Sequence, residues 1–200
     1  MKCGSALIAA MLYAGLAWAG GPVEAGRAAL ERGEGKQALA HLLPQAEAGD
    51  PEACYWLGRL YFYDVPGVPA DYAKARRWFS RAARAGHADA QYKLGGLYFA
   101  GRGVRRSLPQ AIAWWRRAAR QGQAEALNNL GALVALGKGV KQDAELGLAL
   151  QILAARKGSE AAQENIARKG ASDRANALAE QWAASPAALA AALAGVEIFP

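Results

Sequence analysis

Residues 88–122 read ADAQYKLGGLYFAGRGVRRSLPQAIAWWRRAARQG, and the order of small and aromatic residues in this stretch decides the fold. Ala88 and Ala90 lead to Tyr92, Leu94-Gly95 and Tyr98. The pair Gly101 and Gly103 follows, with Val104 behind it. After a polar loop come Ala111, Trp114, Ala118-Ala119 and Gly122. A run of helix formers closed by glycine, then a capping residue and a second such run, reads as two helices joined by a turn.

The same order recurs on both sides. Leu57-Gly58, Leu94-Gly95 and Leu130-Gly131 lie 37 and 36 residues apart. Ala82-Ala83, Ala118-Ala119 and Ala154-Ala155 keep a spacing of 36, as do Gly86, Gly122 and Gly158. Gly137-Lys-Gly139-Val140 repeats the glycine pair. The first copy, Asp64-Val-Pro-Gly67-Val68, is one residue longer and accounts for the 37. A fixed period of this length marks stacked helical units. The units are 51–86, 88–122 and 124–158, with first helices near 51–62, 88–99 and 124–135. Asp71, Ser107 and Asp143 are expected to cap the second helices by accepting from their free amides.

Partial units flank these three. Ala38, Ala46 and Gly49 match Ala75, Ala83 and Gly86, so 24–49 reads as a degenerate leading helix pair with Pro44 kinking its second helix. Residues 160–195 read as a partial repeat and C-terminal capping helices. Val196, Ile198 and Phe199 are expected to fold back as a plug. Atypical end units hide the open faces of a stack. The aromatics Tyr61, Trp78, Tyr98, Trp114 and Trp115 are expected to fill the gaps between layers.

Composition agrees. The chain has 200 residues, 53% hydrophobic and 20% charged, which is too apolar for a disordered chain. Fifty alanines and few β-branched residues argue against an all-β fold. Two cysteines and two histidines exclude a disulfide scaffold and a Cys/His zinc module. Residues 1–19 are read apart from the fold. Lys2 precedes an apolar run, Ala6 to Ala19, that ends in Ala17-Trp18-Ala19. A basic start, a short apolar core and small residues before a cleavage point form a secretory signal. The run is shorter than the roughly 20 residues of a spanning helix. A cleaved signal and a periplasmic or secreted location are expected; an uncleaved anchor is the alternative.

The pattern A-x-A-x-Y-x-L-G-x-x-Y-x-x-G-x-G-V followed by A-x-x-W-x-x-x-A-A-x-x-G resembles the Sel1-like repeat. Residues 88–122 carry it almost position for position, and 51–86 and 124–158 less fully. The resemblance implies an all-α fold: a right-handed α-solenoid of antiparallel helix pairs, related to the tetratricopeptide repeat. It also implies an adaptor that holds other proteins. Some secreted family members bind or hydrolyse β-lactams and carry a disulfide in each repeat. This sequence keeps only Cys54 beyond the leader, so that activity is the lesser alternative.

Catalysis needs a nucleophile or metal with an oriented acid or base. His41 and His87 have no partner at ligand spacing. Cys54 sits in a core-facing stretch, and Gly101-Arg-Gly103 is a repeat turn rather than a phosphate loop. No catalytic residue, cofactor or metal is expected, and the chain is not read as an enzyme.

Charge is uneven. Residues 72–122 hold twelve Lys and Arg against one acid, Asp89. Arg116, Arg117 and Arg120 share one helix face, and Arg77, Arg81 and Arg84 occupy a matching stripe one unit earlier. Stacking is expected to merge them into a basic outer wall suited to an anionic envelope polymer or lipid. The export signal argues against nucleic acid, which charge alone would admit. On the inner wall, Tyr55, Trp56, Arg59, Tyr92, Lys93, Asn128 and Asn129 occupy comparable turns of the first helices. They are the candidate groove for an extended peptide of a protein partner, which the basic balance suggests is acidic. A scaffold in the envelope or outside the cell is the leading reading; an envelope element held by its basic wall is the second.

Overall fold

The computed structural model describes residues 21–199, so the expected signal at 1–19 lies outside the described residues. Among the described residues there are eleven helices and no strand. In chain order they are α1 (Pro22–Glu31), α2 (Gly35–Glu47), α3 (Pro51–Phe62), α4 (Tyr72–Arg84), α5 (Ala88–Ala100), α6 (Leu108–Arg120), α7 (Ala124–Leu136), α8 (Ala144–Arg156), α9 (Glu160–Lys169), α10 (Asp173–Ala184) and α11 (Pro186–Ala194).

Local chemistry sets the boundaries. Asp50, Asp71, Ser107 and Asp143 each accept from the backbone N–H three residues on, at 2.8, 2.9, 3.4 and 2.9 Å. The bond from the Lys74 N–H holds the Asp71 carboxyl below the usual carboxylate range. Gly101 and Gly137 end α5 and α7 in the left-handed conformation, φ 71° and 66°, where a side chain would be strained. The first unit differs: α3 ends on extended Tyr63, and its longer loop closes through a Val65–Val68 bridge. Helix α2 runs unbroken through Pro44, whose place is exposed.

Each first helix packs on its own second helix, and each second helix from α2 to α8 packs on the next first helix. The result is an α-solenoid. Helices α1 and α3 also touch, as do α7 and α9, whereas α2, α4, α6 and α8 have no comparable contact with one another. Clefts shared by α3 with α5 and by α5 with α7 put the first helices on one wall, here the inner wall, and the second helices lie on the outer wall.

The glycine of each Leu-Gly pair marks the closest approach within a unit. A Cβ on Gly58 would lie 2.6 Å from the Phe79 ring, one on Gly95 2.5 Å from Trp115 Cδ1, and one on Gly131 2.6 Å from the Gly147 carbonyl. Phe79, Trp115 and Gln151 are equivalent positions facing those glycines. Fully buried alanines, among them Ala53, Ala82, Ala90, Ala118, Ala119, Ala126 and Ala154, complete the seams. Trp115 fills its layer as expected. Trp78 and Trp114 do so only in part: they pack against the core yet stay half-buried, with Arg81 and Arg117 stacked on them at 4.9 and 4.5 Å.

The C-terminal end breaks the pattern. Helix α10 packs mainly on α8 rather than on α9, and α11 then crosses back to α6. Leu189, Leu193 and Val196 are buried in the same cluster as Trp182, Ile152 and Val140. The tail does fold back: Ile198 bridges to Val140, and the Phe199 N–H donates to the Gly139 carbonyl at 2.9 Å.

Candidate peptide-binding groove on the inner wall

Five positions of each first helix recur on the inner wall: 55/92/128, 56/93/129, 59/96/132, 62/99/135 and 63/100/136. They fall at i, i+1, i+4, i+7 and i+8, one stripe of an α-helix. Across three units the stripe changes from filled to open.

In the first unit its first two turns are filled, and only Tyr63 at the far end is exposed. The Arg59 guanidinium lies 4.6 Å over the Trp56 ring, with Tyr55 and Tyr63 at 6.0 and 5.9 Å. Arg59 Nε is buried among these rings with no hydrogen-bond partner. Tyr55 and Trp56 are themselves 8% exposed and show a partner little beyond their edges. Trp56 Nε1 donates to Glu52 at 2.6 Å, and Tyr55 stacks on His87 at 4.4 Å. Burial pushes the Tyr55 hydroxyl up to about 12, so it stays protonated at neutral pH.

In the second unit the stripe opens. Gly96 takes the place of Arg59, and a Cβ built on it would meet nothing within 4 Å. Two clefts, of about 140 and 290 Å³, adjoin there, and Tyr92 and Gly96 line both. Phe62 and Lys93 wall the first; Phe99, Trp115 and Asn129 wall the second. Phe99 is 41% exposed. Lys93 Nζ stands 5.4 Å from the Tyr92 ring and 5.9 Å from the Phe62 ring, and Arg106 lies 5.8 Å from Phe99. A glycine inside a helix costs about 0.5–1 kcal/mol relative to alanine. Packing accounts for Gly95 and not for Gly96.

In the third unit Asn128 departs from expectation. It is buried, and its Oδ1 accepts from Gln151 Nε2 at 3.3 Å. This amide pair stands where Tyr55 packs on the Phe79 ring and where the Tyr92 backbone carbonyl accepts from Trp115 Nε1. Asn128 thus closes the α7–α8 seam and is not a groove residue. Asn129 does line the open cleft.

The basic outer wall is present, without Arg116. Arg77, Arg81, Arg84, Arg117 and Arg120 are exposed, and none forms an ion pair among the described residues. Arg77 and Arg81 line a cleft of about 370 Å³ with Tyr61, Lys74 and Trp78. Arg116 departs from the group. It is half-buried and donates to the Val196 carbonyl at 3.2 Å, so it holds the tail. Burial, then Arg120 and Arg117, lower its pKa from the ordinary arginine value. Arg116 is withdrawn from the expected patch, because the tail reaches it.

Among the described residues no group of three His, Cys, Asp or Glu could hold a metal, and no helix is long and apolar enough to cross a membrane. His87 caps α5, accepting from Ala90 N at 3.4 Å. The Cys54 thiol is buried against the Ala46 carbonyl at 3.5 Å, and burial raises its pKa.

The Sel1 repeat model matches residues 51–87, 88–123 and 124–159, the stretches that build the groove. The chain belongs to the Sel1 repeat family. A solved Sel1 repeat protein from Oxalobacter formigenes is 29% identical with TM-score 0.68, over 74% of this chain and 58% of that one. The c5321 protein of uropathogenic Escherichia coli, described as a protective antigen with an SLR fold, is 31% identical with TM-score 0.65, over 78% and 35%. Helicobacter pylori cysteine rich protein B, 21% identical with TM-score 0.51 over 66% and 93%, shares the fold alone. Among curated proteins, the Arabidopsis thaliana ERAD-associated E3 ubiquitin-protein ligase components HRD3A and HRD3B are 33% and 38% identical over 72 and 73 residues. Those matches span 36% of this chain and only 11% of each of those relatives.

Proposed function

We propose that this Sel1 repeat protein is a non-catalytic protein-interaction scaffold that acts in the cell envelope or outside the cell and grips a partner through the inner wall. One observation carries the reading. The inner stripe of the second unit exposes Phe99 and unpaired cations around an open floor at Gly96, while in the first unit Tyr55 and Trp56 are buried and Arg59 covers them. Exposed aromatics in a concave setting hold partners by large contact area at low entropic cost. The description of HRD3A and HRD3B as ligase components supports an adaptor role. The leader-like start at Lys2 to Ala19 and the description of c5321 as a protective antigen support an exported location.

Two experiments test it. Edman sequencing of exported protein should begin at Gly20; a retained Met1 would overturn cleavage. A photo-reactive residue at Ala132, on the inner wall, should cross-link a partner from envelope extract, while one at Arg84, on the outer wall, should not. Cross-linking from Arg84 alone would move the contact to the basic wall and favour the anionic-envelope reading.

A further inference from the structure

We infer that the open floor at Gly96 seats one large apolar side chain, aromatic or branched aliphatic, of an extended acidic segment of the partner protein. Carboxylates on either side of that side chain pair with Lys93 and Arg106. The inference rests on the inner wall being the contact surface and adds the chemistry of what it holds.

The repeat supplies its own control. At the same register the first unit carries Arg59, which lies on Trp56 and closes the stripe, and the third carries Ala132. Only the second unit has no side chain there. Gly96 makes no close approach to another helix and has no left-handed backbone, so neither packing nor conformation calls for glycine. What glycine does achieve is continuity between the two clefts. Phe62 and Tyr92 stand on one side and Phe99 and Trp115 on the other, giving an apolar slot of side-chain size.

The cations at the rim are unpaired. Lys93 and Arg106 sit over the slot's own rings, and neither forms an ion pair among the described residues. The nearby acids Asp89 and Glu125 sit in the first turns of α5 and α7, where both accept from Gln123 Nε2, and neither pairs with Lys93 or Arg106. Charge complementarity therefore has to come from the partner. A peptide fits better than a nucleic acid strand, because the rings form side walls with cations over them rather than a bare platform for successive bases.

The test uses the full chain and fluorescence anisotropy. The probe is a fluorescein-labelled peptide with one Phe between two pairs of Asp. Its controls carry Ala for Phe or Lys for Asp, and oligothymidylate serves as a separate anion. The acidic Phe peptide should bind saturably, and each peptide control should bind at least about tenfold more weakly. Gly96→Leu should cost a similar factor while melting no lower than wild type, because its side chain enters open space. Lys93→Glu should weaken the acidic peptide and strengthen the Lys-containing one. Gly96→Leu binding within about twofold of wild type, equal binding of the Lys peptide or of oligothymidylate, or no saturable binding, would overturn the inference. The Ala132 cross-link separates the two readings. If it still captures a partner, the inner wall stands and only the acidic-apolar chemistry falls; if it does not, both fall.

Discussion

His87 and Glu52 meet at 3.1 Å across the joint between the first and second units, and Gln123 and Asp89 repeat that contact one unit on, at 3.3 Å. In each joint the residue that caps a first helix also reaches back to the acid in the first turn of the preceding one. Gln123 Oε1 accepts from Ala126 N, and His87 Nδ1 accepts from Ala90 N. His87→Gln should therefore keep the cap and lose only the Tyr55 stack, whereas His87→Ala should lose both and cost about 1 kcal/mol more, the usual worth of a helix cap. Urea unfolding of both variants checks this.

Adjacent glycines should respond in opposite directions. Gly95→Leu overpacks against Trp115 and should cost on the order of 1–3 kcal/mol. Gly96→Ala removes a flexible helix-interior glycine into open space and should gain about 0.5–1 kcal/mol. Thermal melting of the pair separates the structural glycine from the one whose cost packing does not explain.

The buried Tyr55 phenol gives an alkaline limit. Its pKa is raised from 10.0 to about 12 by folding, so its contribution is fully present below pH 10 and is lost as pH rises toward 12. Across that window the loss should be on the order of 2 kcal/mol, and Tyr55→Phe should flatten it. Denaturant midpoints measured upward from about pH 10, the ordinary phenol value, report the slope.

Charge reversal of the outer wall now divides in two. Arg81, Arg84, Arg117 and Arg120 are exposed, and changing them to Glu should leave the fold intact. Arg116→Ala removes a charged donor from the Val196 carbonyl and should cost about 1.5–3 kcal/mol. Limited proteolysis should release the tail of that variant first.

The solenoid was legible because its seams demand small residues at fixed places. Gly58, Gly95 and Gly131 allow close approach, and no other residue type does so at these distances. Depth was less legible. The same i, i+1, i+4 spacing places Tyr55 and Trp56 almost out of reach, leaves Phe99 exposed and turns Asn128 inward, because each outcome depends on the facing helix. The C-terminal tail was half legible. Val196 and Ile198 read as a plug, but α11 has six alanines in nine residues, and its leucines Leu189 and Leu193 mark a buried face without saying which helix it meets. The replacement of outer-wall arginines by Ile152 and Leu153 in the third unit was the available clue, since an apolar outer position needs a cover.

A ladder of repeats held only by nearest neighbours can lose its last rung while the others stand. Here α11 and the tail return to α6 and to the 137–140 loop, and Arg116 meets Val196 across 80 residues of sequence. The terminal rung is thereby moored to the middle of the ladder. Opening it exposes Val140, Leu189 and Leu193 together, so the C-terminal half should exchange its amide hydrogens as one cooperative block and not fray inward unit by unit.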